Sequence, residues 1–305
     1  MIKRTLCIEN PCHLKCNNEQ LVISYAHIKG LEDRQDKTVP IEDMGVLVLE
    51  HPQITTTHFL LDKLIANNIA VITCNNTHHP SGMLLSLESH TLQSERFKEQ
   101  LAASEPLKKQ LWQQTVKAKI NNQSAVLQKW HIPHGYLNNA RQNVKSGDAD
   151  NAEAKAAAYY WGHLFPDAWQ FFRKREGPPP NNLLNYGYAI IRAAMARAIA
   201  GAGLLPTLGI FHRNRYNAYC LADDMMEPYR PFVDAIVRNM IHETSAVEVL
   251  TQPFKVQLLN VLTLDTIIEE QTSPLLVAMQ KTAFSLSRCY AGEQRKLVFP
   301  EFPAA

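Results

Sequence analysis

Two separate segments of the sequence carry side chains that could share a metal ion. In the first segment, Glu153 falls in the opening turn of a predicted helix, with Ala157 and Tyr160 following on roughly the same face. A carboxylate on such a face is costly to bury unless it is paired or bound to a metal. The alternative is an ordinary first-turn glutamate that the helix dipole stabilises.

The second segment, residues 209–231, contains a histidine and three closely spaced carboxylates. His212 follows an apolar stretch, where a lone histidine also suits a buried core position. Asp223, Asp224 and Glu227 repel one another unless arginines or a cation gather them. The spacing of Asp224 and Glu227 equally fits a capping box, which needs no cation.

Together, Glu153, His212 and Glu227 offer two carboxylates and one imidazole to a divalent cation. Hard cations take oxygen ligands, and Mn²⁺ also accepts an imidazole. Such a shell is incomplete and leaves positions for water and phosphate, which suits phosphoryl transfer. The three residues do not form a local motif, so their spacing alone does not require that they meet.

Basic side chains near these segments are candidates for contacts with phosphate. They are Arg173, Lys174, Arg175, Arg213 and Arg215. Contacts with a nucleic-acid backbone need such clusters, although a solvated surface is an equally simple interpretation. The sequence contains no P-loop and no GxGxxG or GxSxG motif. This disfavours a nucleotide-driven motor and a serine hydrolase.

The candidate residues must be positioned by two regions of different character. Residues 1–76 contain short β-branched and apolar runs, which predict strands. The strands are predicted at residues 20–28, 44–49 and 69–73. A threonine cap at Thr56 or Thr57 predicts one short helix before the last of these strands. The sequence therefore predicts a small N-terminal β domain over residues 1–76.

The composition changes after the segment THHPSG, where Pro80, Ser81 and Gly82 predict a hinge over residues 77–83. Beyond it, nearly every segment has a helical pattern. Helices are predicted at residues 95–130, 150–165, 183–202, 231–246 and 253–270. The predicted fold class is α+β, with the N-terminal β domain hinged to a larger all-α catalytic domain over residues 84–305.

The overall composition is that of an ordinary globular protein. Among 305 residues, 46% are apolar, and 31 Lys and Arg oppose 29 Asp and Glu. This excludes wholesale disorder, and any nucleic-acid surface must come from local basic patches. No apolar run reaches the roughly 18 residues of a membrane span, and the N-terminus does not resemble a signal peptide. Six cysteines without a CxxC motif predict reduced structural thiols in the cytoplasm.

Four segments carry a resemblance to a known family. They are VPIEDMGVLVLEHPQITTTHFLLDKLIANNIAVITCNNTHHPSG, EAKAAAYYWGHLF, NNLLNYGYAIIRAAMARAIAGAGLLPTLGIFH and NAYCLADDMMEPYRPFVD. The chain closely resembles the CRISPR-associated spacer-acquisition integrase, the first of the CRISPR-associated proteins, from about residue 6 to about residue 284. The THHPSG segment and the short tail are similar to the type II branch of this family.

The resemblance implies which residues bind the metal. The glutamate opening the family's E-x-x-A-A-x-x-Y-W helix is Glu153 here, and the histidine of its G-I/F-x-H turn is His212. The acidic residue of L-x-x-D-L-M-E-P-F-R-P is Glu227, in a sequence that reads D-M-M-E. The resemblance therefore implies a metal-dependent DNA integrase and endonuclease that uses Mg²⁺ or Mn²⁺, with the basic residues named above on backbone phosphates.

The resemblance also implies partners. Family members are homodimers formed through the β domain, and two dimers flank a small ferredoxin-like protein, the second CRISPR-associated protein, in a hetero-hexamer. The assembly binds double-stranded DNA fragments and joins their 3′ ends to the repeat DNA of a CRISPR array. The alternative is a non-catalytic DNA-binding scaffold that positions fragments for a partner. A general DNA nuclease without a role at the array is a third hypothesis.

Overall fold

The chain divides into two compact units, Met1–Thr91 and Leu92–Ala305. The computed structural model describes residues 4–25, 28–31, 33–76, 79–86, 88, 90–166, 169–244 and 247–303. The first unit is built mainly from strands and the second mainly from helices. The predicted α+β fold, with a β-rich N-terminal region and a mostly helical C-terminal region, is confirmed.

The N-terminal unit contains two four-stranded sheets and one helix in the described residues. Its elements are β1 (Arg4–Ile8), β2 (His13–Asn17), β3 (Gln20–Ser24), β4 (Lys37–Pro40), β5 (Met44–Leu49), β6 (Thr55–Thr56), α1 (His58–Ala66), β7 (Ala70–Cys74) and β8 (Pro80–Leu84). The sheet orders are β1-β5-β7-β8 and β4-β3-β2-β6. In the first sheet, β1, β5 and β7 are parallel and β8 is antiparallel to β7.

Strand β5 and helix α1 contribute buried apolar side chains to the core of this unit. Residues 44–48 of β5 are all buried because the strand is central in its sheet, which matches its continuous apolar run. Thr57 caps α1 by accepting a hydrogen bond from the backbone N of Leu60 at 3.3 Å, as the sequence predicts. Leu60 and Leu64 of α1 are fully buried in the core cluster.

The predicted hinge is wrong in its position. Pro80–Leu84 forms the edge strand β8, and the division between the two units falls after Thr91. Proline is tolerated at the first residue of an edge strand. A Cβ on Gly82 would lie 2.5 Å from Oγ1 of Thr73 on β7, so the close approach of two strands explains this glycine. Residues 77 and 78 of the predicted hinge lie outside the described residues.

The C-terminal unit consists of helices and one short hairpin in the described residues. Its helices are α2 (Gln93–Ala102), α3 (Glu105–Lys129), α4 (Gly135–Gln142), α5 (Ala152–Leu164), α6 (Asn181–Gly201), α7 (Cys220–Met226), α8 (Arg230–Glu243), α9 (Gln252–Leu259) and α10 (Leu275–Tyr290). Strands β9 (Asp265–Ile268) and β10 (Gln271–Pro274) pair in antiparallel fashion. Helix α6 is buried along most of its length and packs against its neighbours α7 to α10.

Three helix predictions need correction. The single helix predicted over residues 95–130 is broken, because Ser104 caps α3 through the backbone N of Leu107 and a proline follows in the first turn. The helix predicted over residues 253–270 ends at Leu259, and a β-hairpin follows, so the C-terminal unit is not all-α. The helices named from the sequence also did not include α4, α7 and α10. Residue 246, the predicted end of α8, lies outside the described residues.

Two further observations concern membrane-spanning helices and the cysteines. Nowhere in the described part of the chain is a helix both long and apolar enough to span a membrane. All six cysteines are free thiols, which agrees with the absence of a CxxC motif.

Candidate active site

Glu153 is positioned by a carboxylate cap at the start of α5. Asp148 accepts hydrogen bonds from the backbone N of Ala152 at 2.7 Å and of Glu153 at 3.1 Å. The cap satisfies two of the helix's free N–H groups and fixes the first turn. The direction in which α5 presents Glu153 is therefore set by its own N-terminus.

Glu153 and Glu227 meet at the side chain of Lys119, which comes from α3. The Lys119 ammonium lies 2.6 Å from Oε1 of Glu153 and 2.6 Å from Oε2 of Glu227. The guanidinium of Arg230 lies 3.0 Å from the other oxygen of Glu227. Glu227 is buried in the short 3₁₀ turn that links α7 to α8. The fold thus gathers two distant carboxylates around one cationic group.

The electrostatics keep this cluster charged. Burial alone would raise the pKa of Glu227, but Arg230 and Lys119 outweigh it and hold that pKa below its usual value. Burial opposes the charge of Lys119, yet Glu227 and Glu153 raise its pKa above the usual value. At neutral pH Glu227 is therefore a carboxylate rather than a carboxylic acid.

His212 is held by the buried carboxylate of Asp224. One oxygen of Asp224 accepts the backbone N–H of Ile210 at 2.7 Å and of Phe211 at 2.9 Å. The other oxygen contacts the backbone N of His212 at 3.3 Å and also Nδ1 of its ring. A histidine that binds a metal commonly donates its other ring N–H to a carboxylate in this way. The arrangement leaves Nε2 of His212 as the nitrogen for a ligand.

The imidazole of His212 is coupled to both glutamates. The hydrogen bond to Asp224 raises the pKa of His212, burial opposes this, and Glu227 and Glu153 add to the rise. The ring lies edge-on to Trp112, with the centroids 5.8 Å apart. The charges of Glu227 and Glu153 therefore act on the His212 ring as well as on Lys119.

A loop glycine permits this arrangement. A Cβ on Gly209 would collide with the carbonyl oxygen of His212 and lie 2.9 Å from Oδ2 of Asp224. Because glycine has no side chain, the loop can fold tightly over the buried carboxylate. Gly209, Asp224 and His212 therefore form one structural unit.

Three helices that surround the site are tied together by a buried polar network. Asp234 of α8 accepts hydrogen bonds from Tyr160 of α5 and from Tyr188 of α6. Burial raises the pKa of Asp234 to about 7, against the opposing effect of these hydrogen bonds. The network fixes α5, which carries Glu153, against α8, whose first residue is Arg230.

The donor set fits a divalent cation, although the ligand atoms of Glu153, His212 and Glu227 are not all within 4.8 Å of one another. Two carboxylates and an imidazole suit Mn²⁺, and carboxylates with water suit Mg²⁺. Oε2 of Glu227 is buried, and the Lys119 ammonium lies 2.6 Å from it, so this oxygen already faces a cation. A buried anionic oxygen of this kind is a favourable cation ligand.

Within the described residues, one group of three potential ligands, Cys7, Glu9 and Glu50, has its ligand atoms all within 4.8 Å of one another. They belong to the N-terminal unit. Burial, followed by the charges of Glu50 and Glu9, raises the pKa of Cys7 well above its usual range. The thiol is therefore protonated and donates to Glu50 at 3.5 Å. This contact accounts for the arrangement of Cys7 and Glu50 without a metal, and we do not assign a metal site here.

The five predicted DNA-binding residues lie in two places. Around the first, Arg173 donates to Asn181 at 2.8 Å and to Asn185 at 2.9 Å, so its guanidinium holds its own loop. Lys174 and Arg175 are exposed beside it. Lys174 and Arg175 are therefore better placed than Arg173 for contacts with the phosphates of DNA.

Arg213 and Arg215 share a cavity of about 360 Å³ with His212. Its other polar lining residues include Lys108, Asn214 and Asn217. Arg213 pairs with Glu105 at 2.8 Å, and Arg215 lies over the exposed ring of Tyr216 at 4.6 Å. A basic cavity next to a predicted metal ligand is suited to a phosphate group.

Two residues of the site were not predicted in these roles. Lys119 follows Trp112 and Val116 on the buried face of α3, and Gln123 comes next at helical spacing. A lysine in that pattern was a detectable signal, because a buried ammonium needs carboxylate partners. Asp224 was considered only as a helix cap or a repelling charge, and nothing local in the sequence indicates that it holds His212.

Comparisons with known proteins identify the family. A family model described as CRISPR associated protein Cas1 matches residues 6–250. A relative named CRISPR-associated endonuclease Cas1, from Neisseria meningitidis serogroup C (strain 8013), is 35% identical over 304 residues, which cover 99% of this chain and 97% of that protein. The chain therefore belongs to the Cas1 family of CRISPR-associated proteins.

Solved structures agree with this fold. A casposase bound to an integration product has a TM-score of 0.79 at 20% identity, covering 100% of this chain and 95% of that chain. A chain of a Cas6-RT-Cas1–Cas2 complex has a TM-score of 0.71 at 19% identity, covering 96% of this chain and 35% of that one. At these identities the likeness shows the fold alone.

Proposed function

We propose that this protein is a metal-dependent DNA integrase and endonuclease that inserts short foreign DNA fragments as new spacers into a CRISPR array. The observation that carries the proposal is the meeting of Glu153 and Glu227, from distant segments, at the Lys119 ammonium. Asp224 holds the third predicted ligand, His212, through ring nitrogen Nδ1. The endonuclease name of the Neisseria relative and the integration product held by the casposase support the same class of chemistry.

We assign one set of residues to metal binding and another to DNA binding. Glu153, Glu227 and Nε2 of His212 would hold Mg²⁺ or Mn²⁺, which supplies activation of the attacking oxygen and neutralises charge at the phosphorus. Asp224 keeps a proton on Nδ1 of His212, so that Nε2 faces the ligand. Arg213 and Arg215 would hold a backbone phosphate in the adjacent cavity. No side chain becomes covalently attached to DNA.

We also propose the partners of the reaction. The DNA partners are double-stranded fragments and the repeat DNA of the array, and the complex solved with Cas2 supports a hetero-hexamer with that small protein. The homodimer would form through the N-terminal unit, where strands such as β8 and β4 lie at the edges of their sheets. Edge strands present unpaired backbone groups that a second subunit can cover.

Replacing Glu153 distinguishes an integrase from a scaffold. Glu153→Gln is expected to reduce joining of a labelled fragment to repeat DNA by at least about tenfold, because a neutral amide is a poorer cation ligand. The expected loss is moderate because the side chain of Glu153 is 21% exposed, and water can reach its position. The matched control is Glu95→Gln, an exposed first-turn glutamate of α2. Unchanged joining in Glu153→Gln would favour the scaffold.

DNA binding should depend strongly on salt and little on sequence. Each phosphate neutralised by the protein contributes about 0.9 to the slope of log K against log salt. Arg213→Gln combined with Arg215→Gln is therefore expected to lower that slope by up to about 2 and to weaken binding to all sequences alike. Fluorescence anisotropy at several salt concentrations measures both. An unaltered slope would mean that these two arginines do not contact phosphate.

A further inference from the structure

Lys119 is a cationic side chain that lies between Glu153 and Glu227, the two proposed carboxylate ligands of the metal. Only 9% of the residue is exposed. Its ammonium is 2.6 Å from one oxygen of each glutamate, so the two oxygens are at most about 5 Å apart. Two oxygens that bind one Mg²⁺ at about 2.0–2.1 Å are at most about 4 Å apart, a separation that the two Lys119 contacts also allow. The ammonium and a divalent cation would therefore compete for the same two oxygens.

The charges of the cluster are balanced without a metal. Lys119 and Arg230 supply two positive charges, and Glu153 and Glu227 supply two negative charges. Two close carboxylates without a counter-charge would repel each other. Lys119 offsets this repulsion through its two 2.6 Å contacts and holds the carboxylates close together without a metal.

Lys119 and Arg230 contact different oxygens of Glu227, so a bound metal would affect the two contacts differently. Arg230 pairs with Oε1 of Glu227 at 3.0 Å, whereas Lys119 contacts Oε2 at 2.6 Å. Arg230 can therefore keep its contact while Oε2 binds a cation. Lys119 cannot keep both of its short contacts, since a divalent ion between the same oxygens would lie against its ammonium.

We propose that Lys119 is the built-in counter-cation of the metal site, holding Glu153 and Glu227 together without metal and competing with the divalent ion for them. The inference rests on the proposed function, because it concerns the same carboxylate pair. It assigns Lys119 a positioning role that lowers the affinity for metal while stabilising the metal-free protein. Removing its charge should therefore tighten metal binding and destabilise the metal-free form.

The test is calorimetric titration of the full-length protein with Mn²⁺, beside thermal denaturation in EDTA and in Mn²⁺. Lys119→Met is expected to bind Mn²⁺ at least about tenfold more tightly than the unaltered protein, because one positive charge next to the ion is gone. Its melting temperature should fall in EDTA, and Mn²⁺ should raise it by more than in the unaltered protein. Lys119→Gln, which can still hydrogen-bond to both carboxylates, gives the same comparison if Lys119→Met does not fold.

Two control variants and one double variant test whether a change in Mn²⁺ affinity arises at this site. Lys117→Met changes a lysine on the same helix that lines a separate cavity, and it should leave Mn²⁺ affinity unchanged. Lys119→Arg keeps the charge and should bind Mn²⁺ no more tightly than the unaltered protein. Adding Glu227→Gln to Lys119→Met should abolish the tight binding, which assigns it to this site.

The outcomes separate the inference from the proposed function. Equal or weaker Mn²⁺ binding by both Lys119→Met and Lys119→Gln, while the unaltered protein binds Mn²⁺, overturns the role of Lys119 and leaves the metal site standing. Absence of Mn²⁺ binding in the unaltered protein and in both variants overturns the inference and the metal site together. Binding that appears only when the lysine charge is removed supports the inference in its strongest form.

Discussion

Glu227→Gln is expected to reduce strand joining by roughly 10²- to 10³-fold, an effect comparable to removing a key electrostatic group from an active site. Glu227 is buried, and Arg230 and Lys119 hold its pKa below the usual value, so it is an anion at neutral pH. Glutamine removes the charge from this proposed cation ligand, whose side chain is less exposed than that of Glu153. DNA affinity should change by no more than about twofold, because it comes from phosphate contacts elsewhere.

The measurement is single-turnover joining of a labelled fragment in Mg²⁺ or Mn²⁺, beside a binding titration and a melting curve. Glu243→Gln, at the exposed end of α8, is the matched control and should retain full activity. Full activity in folded Glu227→Gln would remove Glu227 from the metal site. A parallel loss of DNA binding would instead show that this residue supports the DNA surface.

Asp224→Asn should reduce activity by about 10- to 100-fold, the usual cost of losing a carboxylate that orients a metal-binding histidine. The carboxylate of Asp224 accepts from the backbone N of Ile210 and Phe211 with one oxygen and holds His212 with the other. Asparagine keeps only one acceptor oxygen, so its amide must face an N–H donor. Each buried donor left without a partner costs about 1–3 kcal/mol, so the variant should also be less stable.

Joining assays over a range of Mn²⁺ concentrations and urea denaturation test this expectation. Because His212 remains present but loosely held, excess Mn²⁺ should recover part of the activity of Asp224→Asn. Asp150→Asn, which changes an exposed carboxylate paired with Lys145, provides the control. A variant with unaltered stability and unaltered metal requirement would contradict the role assigned to Asp224.

Local signals in the sequence predicted much of the fold. The Thr57 cap, the apolar run of β5 and the helical pattern of α6 act within a few residues, and all three elements are present. Errors arose where a short polar segment decided the outcome. Ser104 and the proline after it divide one predicted helix into α2 and α3, and the turn between β9 and β10 uses residues with positive φ at Glu269 and Glu270.

The site was less accessible to sequence reasoning because its parts are distant along the chain. Composition and spacing left Glu153, His212 and Glu227 with simpler alternatives, and only the family resemblance brought them together. The roles of Lys119 and Asp224 depend on tertiary contacts, since their partners come from other helices or from a loop. A lysine on the buried face of α3 was a usable signal, but the sequence does not reveal which carboxylates it contacts.

The most direct test of the metal site is X-ray diffraction from crystals of the full-length protein grown with Mn²⁺, recorded at the manganese absorption edge. The account predicts one anomalous peak per chain, bound by Glu153, Glu227 and Nε2 of His212, with the Lys119 ammonium moved away from at least one carboxylate. A fully occupied Mn²⁺ peak at Cys7, Glu9 and Glu50, with Lys119 still bridging both glutamates, would contradict it.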